Sequence, residues 1–429
     1  MTETSVAQTA IDTLVTQIDS DMASYLEACV HCGECAEACH FYLTTGDPKY
    51  TPTNKLMPLV KTYKKHKSPM RWLTNLIGGS KDVTEAELRE WEELVYDSCN
   101  MCGRCTLVCP MGIDIAGTIR KMREGYAAAG IVPEGLAEAR QNVERTSSPM
   151  GVTAKALLAQ VKHQEADTGL KIPVDVQGAD YMAILSSHEI MASPEIIGAY
   201  AKIFDRAGVS WTISTKAYEA TNVGVQIGSG PLAKQIVQRV VDEAESLGVK
   251  YVISPECGHA YGAIRWAGPN MIGRTFKFEV LHILEVLDKL RAEGRIPPGD
   301  KDDRKMTLHD PCQIVRRGGL LKEPRRLLDA ACSNFVEMEG AGITNFCCGG
   351  GGGVSANMRA EHLMVGAFGK KLEQIDGIGG VDAVVVPCAN CRGVFEDGMF
   401  ELDRDEDFEV ISLGQLVADT LADDPKPAE

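Results

Sequence analysis

An α+α/β chain, with an all-α domain followed by two α/β repeats of which the first is degenerate, is the fold class this sequence predicts. Three observations lead there. Eight of the fifteen cysteines fall between Cys29 and Cys109, in surroundings whose apolar residues recur at helical spacing. From about residue 178 onward, short β-rich runs alternate with amphipathic helical ones. The two halves of that later region also repeat one order of strands and cysteine-bearing loops. Boundaries are expected at 1–125 for the helical domain, 126–177 for a mostly helical linker, 178–300 for the degenerate repeat and 301–429 for the second.

Composition narrows the partners. With 429 residues, 44% of them apolar, the chain suits two or three domains. A net charge of −16 disfavours a nucleic-acid backbone, and no basic juxtamembrane cluster argues for direct lipid binding. The opening stretch "MTETSVAQTAIDTLVTQIDSDM" lacks the pattern of a signal peptide, and no run of 18 apolar residues is present, so no membrane span is expected. Clustered cysteines in such a chain read as metal ligands rather than disulfides.

The first cysteine group is "CVHCGECAEACH", with Cys29, Cys32, Cys35 and Cys39; the second is "CNMCGRCTLVCP", with Cys99, Cys102, Cys105 and Cys109. Both follow C-x2-C-x2-C-x3-C, the spacing of bacterial two-cluster ferredoxins, in which the fourth cysteine of each run ligates the other cube. On that pattern Cys29, Cys32, Cys35 and Cys109 hold one cubane [4Fe-4S] cluster, and Cys99, Cys102, Cys105 and Cys39 hold a second. Zinc is the competing reading, but four cysteines within eleven residues, twice over, suit a cube better. The second run ends in the expected Pro110, whereas the first ends in His40. Between the runs, "TNKLMPLVKTYKKH" and "TEAELREWEELVYDS" have helical spacing, and Thr84 with Glu87 forms a candidate capping box. The domain therefore resembles the all-α, two-cluster module of succinate dehydrogenase.

In the later region the expected strands are 181–185, 209–213, 223–227, 250–254, 305–309, 334–338, 382–387 and 408–412. Helices such as "PEIIGAYAKIFDRAG" and "PLAKQIVQRVVDEAESLG" lie between them, each stopping at glycine. In the second half, one strand leads to Cys312, the adjacent pair Cys347 and Cys348 follows, and another strand leads to Cys388 and Cys391. The first half reads as a worn copy. Ser186 or Ser187 stands where Cys312 would be, Ala220 and Thr221 where the pair would be, and Ser254 for Cys388, leaving Cys257 opposite Cys391.

Five sulfurs exceed the need of a cube or of zinc. In open α/β sheets the loops beyond the strands converge at one edge, where ligands bind. The stretch "CCGGGGG" that starts at Cys347 would let backbone approach an inorganic core and leave space for substrate. "CCG", with a distant upstream cysteine and a downstream C-x2-C, resembles the CCG domain of the heterodisulfide reductase family. The tandem plan behind a two-cluster domain, and "ECGHAYGAIR", resemble its HdrD/DsrK-like branch. The resemblance implies a noncubane [4Fe-4S] cluster held by Cys312, Cys347, Cys348, Cys388 and Cys391, with disulfide cleavage at that site.

The expected function is accordingly an iron-sulfur catalytic subunit that reduces or forms a disulfide or trisulfide of a sulfur-carrier protein or small thiol. Two cubes relay electrons to or from a membrane quinone or cytochrome b-type partner. The alternative is the electron-transfer subunit of a flavin-dependent glycolate, lactate or glycerol-3-phosphate dehydrogenase. His259 and His309 are candidate proton donors, since imidazole titrates near neutrality, although either could instead hydrogen-bond backbone at a strand end. Cys257 is a candidate site thiol. Arg265, Arg316 and Arg317 could steer an acidic protein substrate or be ordinary solvated arginines, and Cys332 reads as a buried small apolar residue. No dinucleotide fingerprint follows a strand, so neither flavin nor NAD is expected on this chain. The expected location is cytoplasmic, with any attachment to the inner membrane made through a partner.

Overall fold

The computed structural model describes residues 5–79 and 81–422; the remainder, including the start of the stretch read for a leader, lies outside them. By its contacts the chain divides into two compact units. One comprises Met1–Arg140, Val223–Ala233 and Phe346–Lys371; the other comprises Gln141–Asn222, Lys234–Asn345 and Leu372–Glu429. Two stretches that the sequence places in the α/β repeats therefore pack with the helical unit.

The first unit is helical, as its spacing predicts. Helix Val6–Gln17 packs on Ile115–Ala128, where Gly125 lies so close to Leu14 that a Cβ there would sit 2.6 Å from its Cγ. The insert between the cysteine runs forms Pro52–Lys55, Met57–His66, Arg71–Leu76 and Glu85–Glu92, the last opened by the Thr84–Glu87 capping box. A π-turn, Glu93–Asp97, then carries the chain into the second cysteine run.

The second unit holds two parallel sheets. Strands β1 (Tyr181–Ala183), β2 (Trp211–Ile213), β3 (Tyr251–Ser254) and β4 (Glu279–His282) order as β2-β1-β3-β4. Strands β5 (Met306–Leu308), β6 (Ala383–Val385) and β7 (Glu409–Ile411) order as β5-β6-β7. The stretch 334–338 is not a full strand. It makes a single bridge, Phe335 to Met306, on the outer side of β5, in the place β2 takes beside β1. The two sheets thus share one plan.

Two further sequence expectations fail here. Residues 223–227 are a helix, Val223–Ile227, not a strand. Five apolar residues fit either period, and the carbonyls at this helix's end are taken up by the first unit: Tyr96 Oη donates to Ile227 O at 2.7 Å and Arg123 to Gln226 O at 2.7 Å. Conversely, β4 was not expected, because "FEVLHILEVL" runs from strand into helix with no break residue between them. His282 ends β4 and caps helix Ile283–Ala292 through its own ring nitrogen.

Candidate functional site

The two cysteine runs fold as conformational copies. His31 and Met101, each between the first two cysteines of its run, both take φ 53°, and Gly33 and Gly103 follow at φ 92° and 79°. Each glycine opens a one-turn helix, Glu34–Glu37 or Arg104–Leu107, that carries the third cysteine. Left-handed backbone at two points curls the run so that three sulfurs converge.

Cys29, Cys32, Cys35 and Cys109 line one cavity, of 240 Å³. Cys39, Cys99, Cys102 and Cys105 line a second, of 30 Å³. The fourth cysteine of each run thus sits with the other run. Burial, then the neighbouring Cys29 charge, pushes the Cys35 thiol up to about 11. Cys105 is driven well up by desolvation and then by Cys102, Cys39 and Cys99. Four thiolates this close repel one another unless a cationic core lies between them, so each donor set fits an iron-sulfur cube.

Three residues around the second nest escaped the sequence reading. Lys55, 3% exposed, sets its ammonium 3.6 Å from Cys39 Sγ and donates to Ser98 O. Asn100 Nδ2 lies 3.1 Å from His40 Nε2 and donates to Cys347 Sγ at 3.3 Å. His40, the residue found in place of proline, is buried and helps fix the amide that touches the cysteine pair. Arg123, fully buried, donates to Val95 O, Cys99 O (2.6 Å), Gln226 O and Gly352 O (2.5 Å), and stacks over the Tyr96 ring. The one signal for Arg123 was an arginine amid the apolar face of its helix.

The glycine run was expected to open space over a cluster. It packs instead. Gly352, at φ 65°, lies against the second cysteine run, where a Cβ would meet the Asn100 backbone at 2.8 Å. The run lets the segment behind Cys347 and Cys348 press onto residues 99–102.

In the second unit, Cys312 follows β5, and Cys388 caps helix Ala389–Glu401 after β6. A ring nitrogen of His309 and Cys391 Sγ lie within 4.8 Å of each other. The hydrogen bond from Cys391 draws the Cys388 thiol down, whereas burial and the Cys388 charge push Cys257 up to about 12. The expected match of Cys257 to Cys391 needs correction. Register pairs Ala183 with Ile253 and Leu308 with Val385. The helices that follow β3 and β6 start from Cys257 and Cys388, whose backbones agree (φ −143°, ψ 102° and φ −155°, ψ 115°). Both N–H groups reach back two residues, to Pro255 O and Val386 O. Cys257 corresponds to Cys388, with one extra loop residue before it, and Ala260 to Cys391. Ser187 falls opposite Cys312 and is tied up by protein: it donates to Glu219 and lies 2.7 Å from Ser148 Oγ.

His259 is half-buried, two residues into the helix that Cys257 caps. Arg265 is engaged by Val280 O and the Trp266 ring, and Arg316 by Ile343 O (2.5 Å) and Asn345 O, so both have structural duties. Cys332 ends helix Glu323–Ala331 beside Arg304 O, apart from the cysteine group. Asp310, in "HDPC", takes a bidentate pair from Arg325 at 2.9 Å and an N–H from Gly342 at 2.6 Å, bracing the loop that leads toward Cys347.

Two four-thiol nests in a helical unit, with further cysteines beyond the strands of a parallel α/β unit, define an iron-sulfur electron-transfer protein. Family models agree: residues 25–113 match a 4Fe-4S dicluster domain and residues 306–396 a cysteine-rich domain, CCG. An Hdr-like menaquinol oxidoreductase iron-sulfur subunit of Archaeoglobus profundus is 27% identical over 420 residues, 86% of this chain and 75% of its own. A dihydromethanophenazine:CoB–CoM heterodisulfide reductase subunit of Methanosarcina acetivorans is 26% identical over 409 residues, 92% of this chain and 94% of its own. An EtfAB:quinone oxidoreductase of Syntrophomonas wolfei is 26% identical over 422 residues, 91% of this chain and 58% of its own. The chain thus carries both domains and is similar over most of its length to HdrD-like iron-sulfur oxidoreductases.

Proposed function

We propose that this chain is the iron-sulfur catalytic subunit of a quinone-linked complex that reduces, or forms, a disulfide or trisulfide of a sulfur-carrier protein or small thiol. The carrying observation is the 3.3 Å hydrogen bond from Asn100, within the second cysteine run, to Cys347. An electron path that ends against the adjacent cysteine pair needs an electron acceptor there. The names of the relatives, a menaquinol oxidoreductase subunit and a heterodisulfide reductase subunit, suit a path that begins at a membrane quinone or cytochrome b-type partner and ends at sulfur.

Cys29, Cys32, Cys35 and Cys109 hold one cube in this reading, and Cys99, Cys102, Cys105 and Cys39 the other. Cys312, Cys347, Cys348, Cys388 and Cys391 hold a noncubane cluster. When bound, such clusters supply single electrons to a substrate whose cleavage takes two electrons and two protons. The chain's own residues do the rest. Lys55 offsets thiolate charge at the second nest, and Asn100 positions Cys347. His309, beside Cys391, holds a proton at its ring nitrogen for a departing thiolate, and His259 is the second candidate. Cys257 stands as a site-lining thiol. The complex works on the cytoplasmic face of the inner membrane.

A second reading, the electron-transfer subunit of a flavin-dependent dehydrogenase, is favoured by the EtfAB:quinone oxidoreductase relative. Low-temperature EPR of the oxidised holoprotein with added thiol separates the two. A paramagnetic signal that requires thiol and vanishes in Cys347→Ser or Cys348→Ser, yet persists in Cys257→Ala, is the expected result. Signals from reduced cubes alone, with or without thiol, would sink the disulfide reading.

A further inference from the structure

Direct lipid binding was not expected of a chain that carries −16 overall, yet from Met57 to Gly79 it has five lysines and arginines and not one Asp or Glu. Lys61 pairs with Glu87, whereas Lys64, Lys67 and Arg71 are exposed. Helix Arg71–Leu76 that follows has no buried residue at all. Trp72 is 66% exposed, Leu76 77%, Ile77 72% and the preceding Met70 54%. Apolar side chains of this size so grouped on a soluble surface mark a contact.

The base of the same segment touches the electron path. Val60 and Lys64, on helix Met57–His66, line the cavity of the first cysteine nest together with Val30 and Met111, themselves 66% and 49% exposed. A surface that is basic, tipped by tryptophan and leucine, and continuous with the rim of a redox site has the chemistry of an interfacial anchor. Cations meet anionic headgroups while an indole and aliphatic chains enter the acyl boundary.

We propose that the segment from Lys64 to Ile77 seats this chain directly on an anionic lipid surface, with the first cysteine nest turned toward the bilayer interface. The inference rests on the quinone-linked reading for its purpose but not for its test. A small membrane-soluble donor is thereby met at the depth where it exchanges electrons, whichever partner subunit is also present.

The test is co-sedimentation of the holoprotein with phosphatidylglycerol vesicles and with phosphatidylcholine vesicles. Binding to the former is expected, with a blue shift of Trp72 emission that Trp72→Phe removes. Lys67→Glu/Arg71→Glu, or Trp72→Ser/Leu76→Ser, is expected to weaken binding about tenfold or more while the cluster absorbance stays intact. These side chains are exposed, so folding survives their replacement. Absence of binding to anionic vesicles, or binding that these variants leave unchanged, overturns the proposal. So does attachment confined to native membranes and abolished by protease treatment of those membranes, which would assign the surface to a protein partner. No electron transfer is measured, so failure here leaves the redox reading standing, and the reverse also holds.

Discussion

At the residue level, Arg123 shows how one side chain can tie an electron-transfer unit together. Its guanidinium has five N–H donors, and five hydrogen bonds go to four carbonyls: two to Val95 and one each to Cys99, Gln226 and Gly352. Lysine supplies a charge but not the planar fork, so Arg123→Lys leaves carbonyls unpaired in a dry interior. Arg123→Met strands all four, at a cost of about 3 kcal/mol or more. A lowered Tm with loss of clusters is expected for both variants, worse for Met; an unchanged Tm in Arg123→Lys would refute the clamp. None of this was legible beforehand, because its four acceptors are backbone groups from three distant stretches. Asn100 was hidden for a different reason: the x positions of C-x2-C look like filler until the fold lays one against Cys347. A second buried group makes a pH prediction. Glu189 accepts from Ser186 N at 2.6 Å, and burial raises its carboxyl from the ordinary 4.5 to about 7. A raised acid binds its proton more tightly in the folded state. Its stabilising contribution is complete below pH 4.5 and is lost as pH rises through 7, a span worth up to about 3 kcal/mol. The Tm of the native chain should therefore fall from pH 5.5 to 8 more steeply than that of Glu189→Gln, and parallel curves would remove the assignment.

At the level of elements, regular spacing was the readable part. The insert helices and the Thr84 capping box were visible because amphipathic period and cap chemistry are local. The stretch 223–227 was misread because five residues cannot fix a period, and its fate was decided by Tyr96 and Arg123. The repeat alignment slipped for a similar reason: one extra residue before Cys257 is invisible until strand register and helix start are both known. The cysteine runs give the sharpest element-scale prediction, since each lends its last ligand to the other nest. Cys39→Ser should erase the same EPR component of the dithionite-reduced protein as Cys102→Ser, and Cys109→Ser the same component as Cys32→Ser. If Cys39→Ser instead matched Cys32→Ser, each run would hold its own cube and the crosswise grouping would be wrong.

At the level of the whole molecule, charge and cluster exposure give the electron path a direction. The first nest has Cys32 exposed and opens beside a basic stretch of an acidic chain, while the second has no fully exposed cysteine, holds Lys55 and Asn100 and adjoins Cys347. On the proposed function, outside donors meet the first nest and the second relays to the cysteine pair. Removing the outer nest should cut the path without harming the inner one. In Cys32→Ser, quinol-fed native membranes should fail to reduce the second nest, whereas dithionite, small enough not to need the relay, should still reduce it to the same extent as in the parent chain. Freeze-quench EPR reads both. Equal rates of membrane-driven reduction in variant and parent would mean that electrons enter at the inner nest, and the order inferred from exposure would have to be reversed.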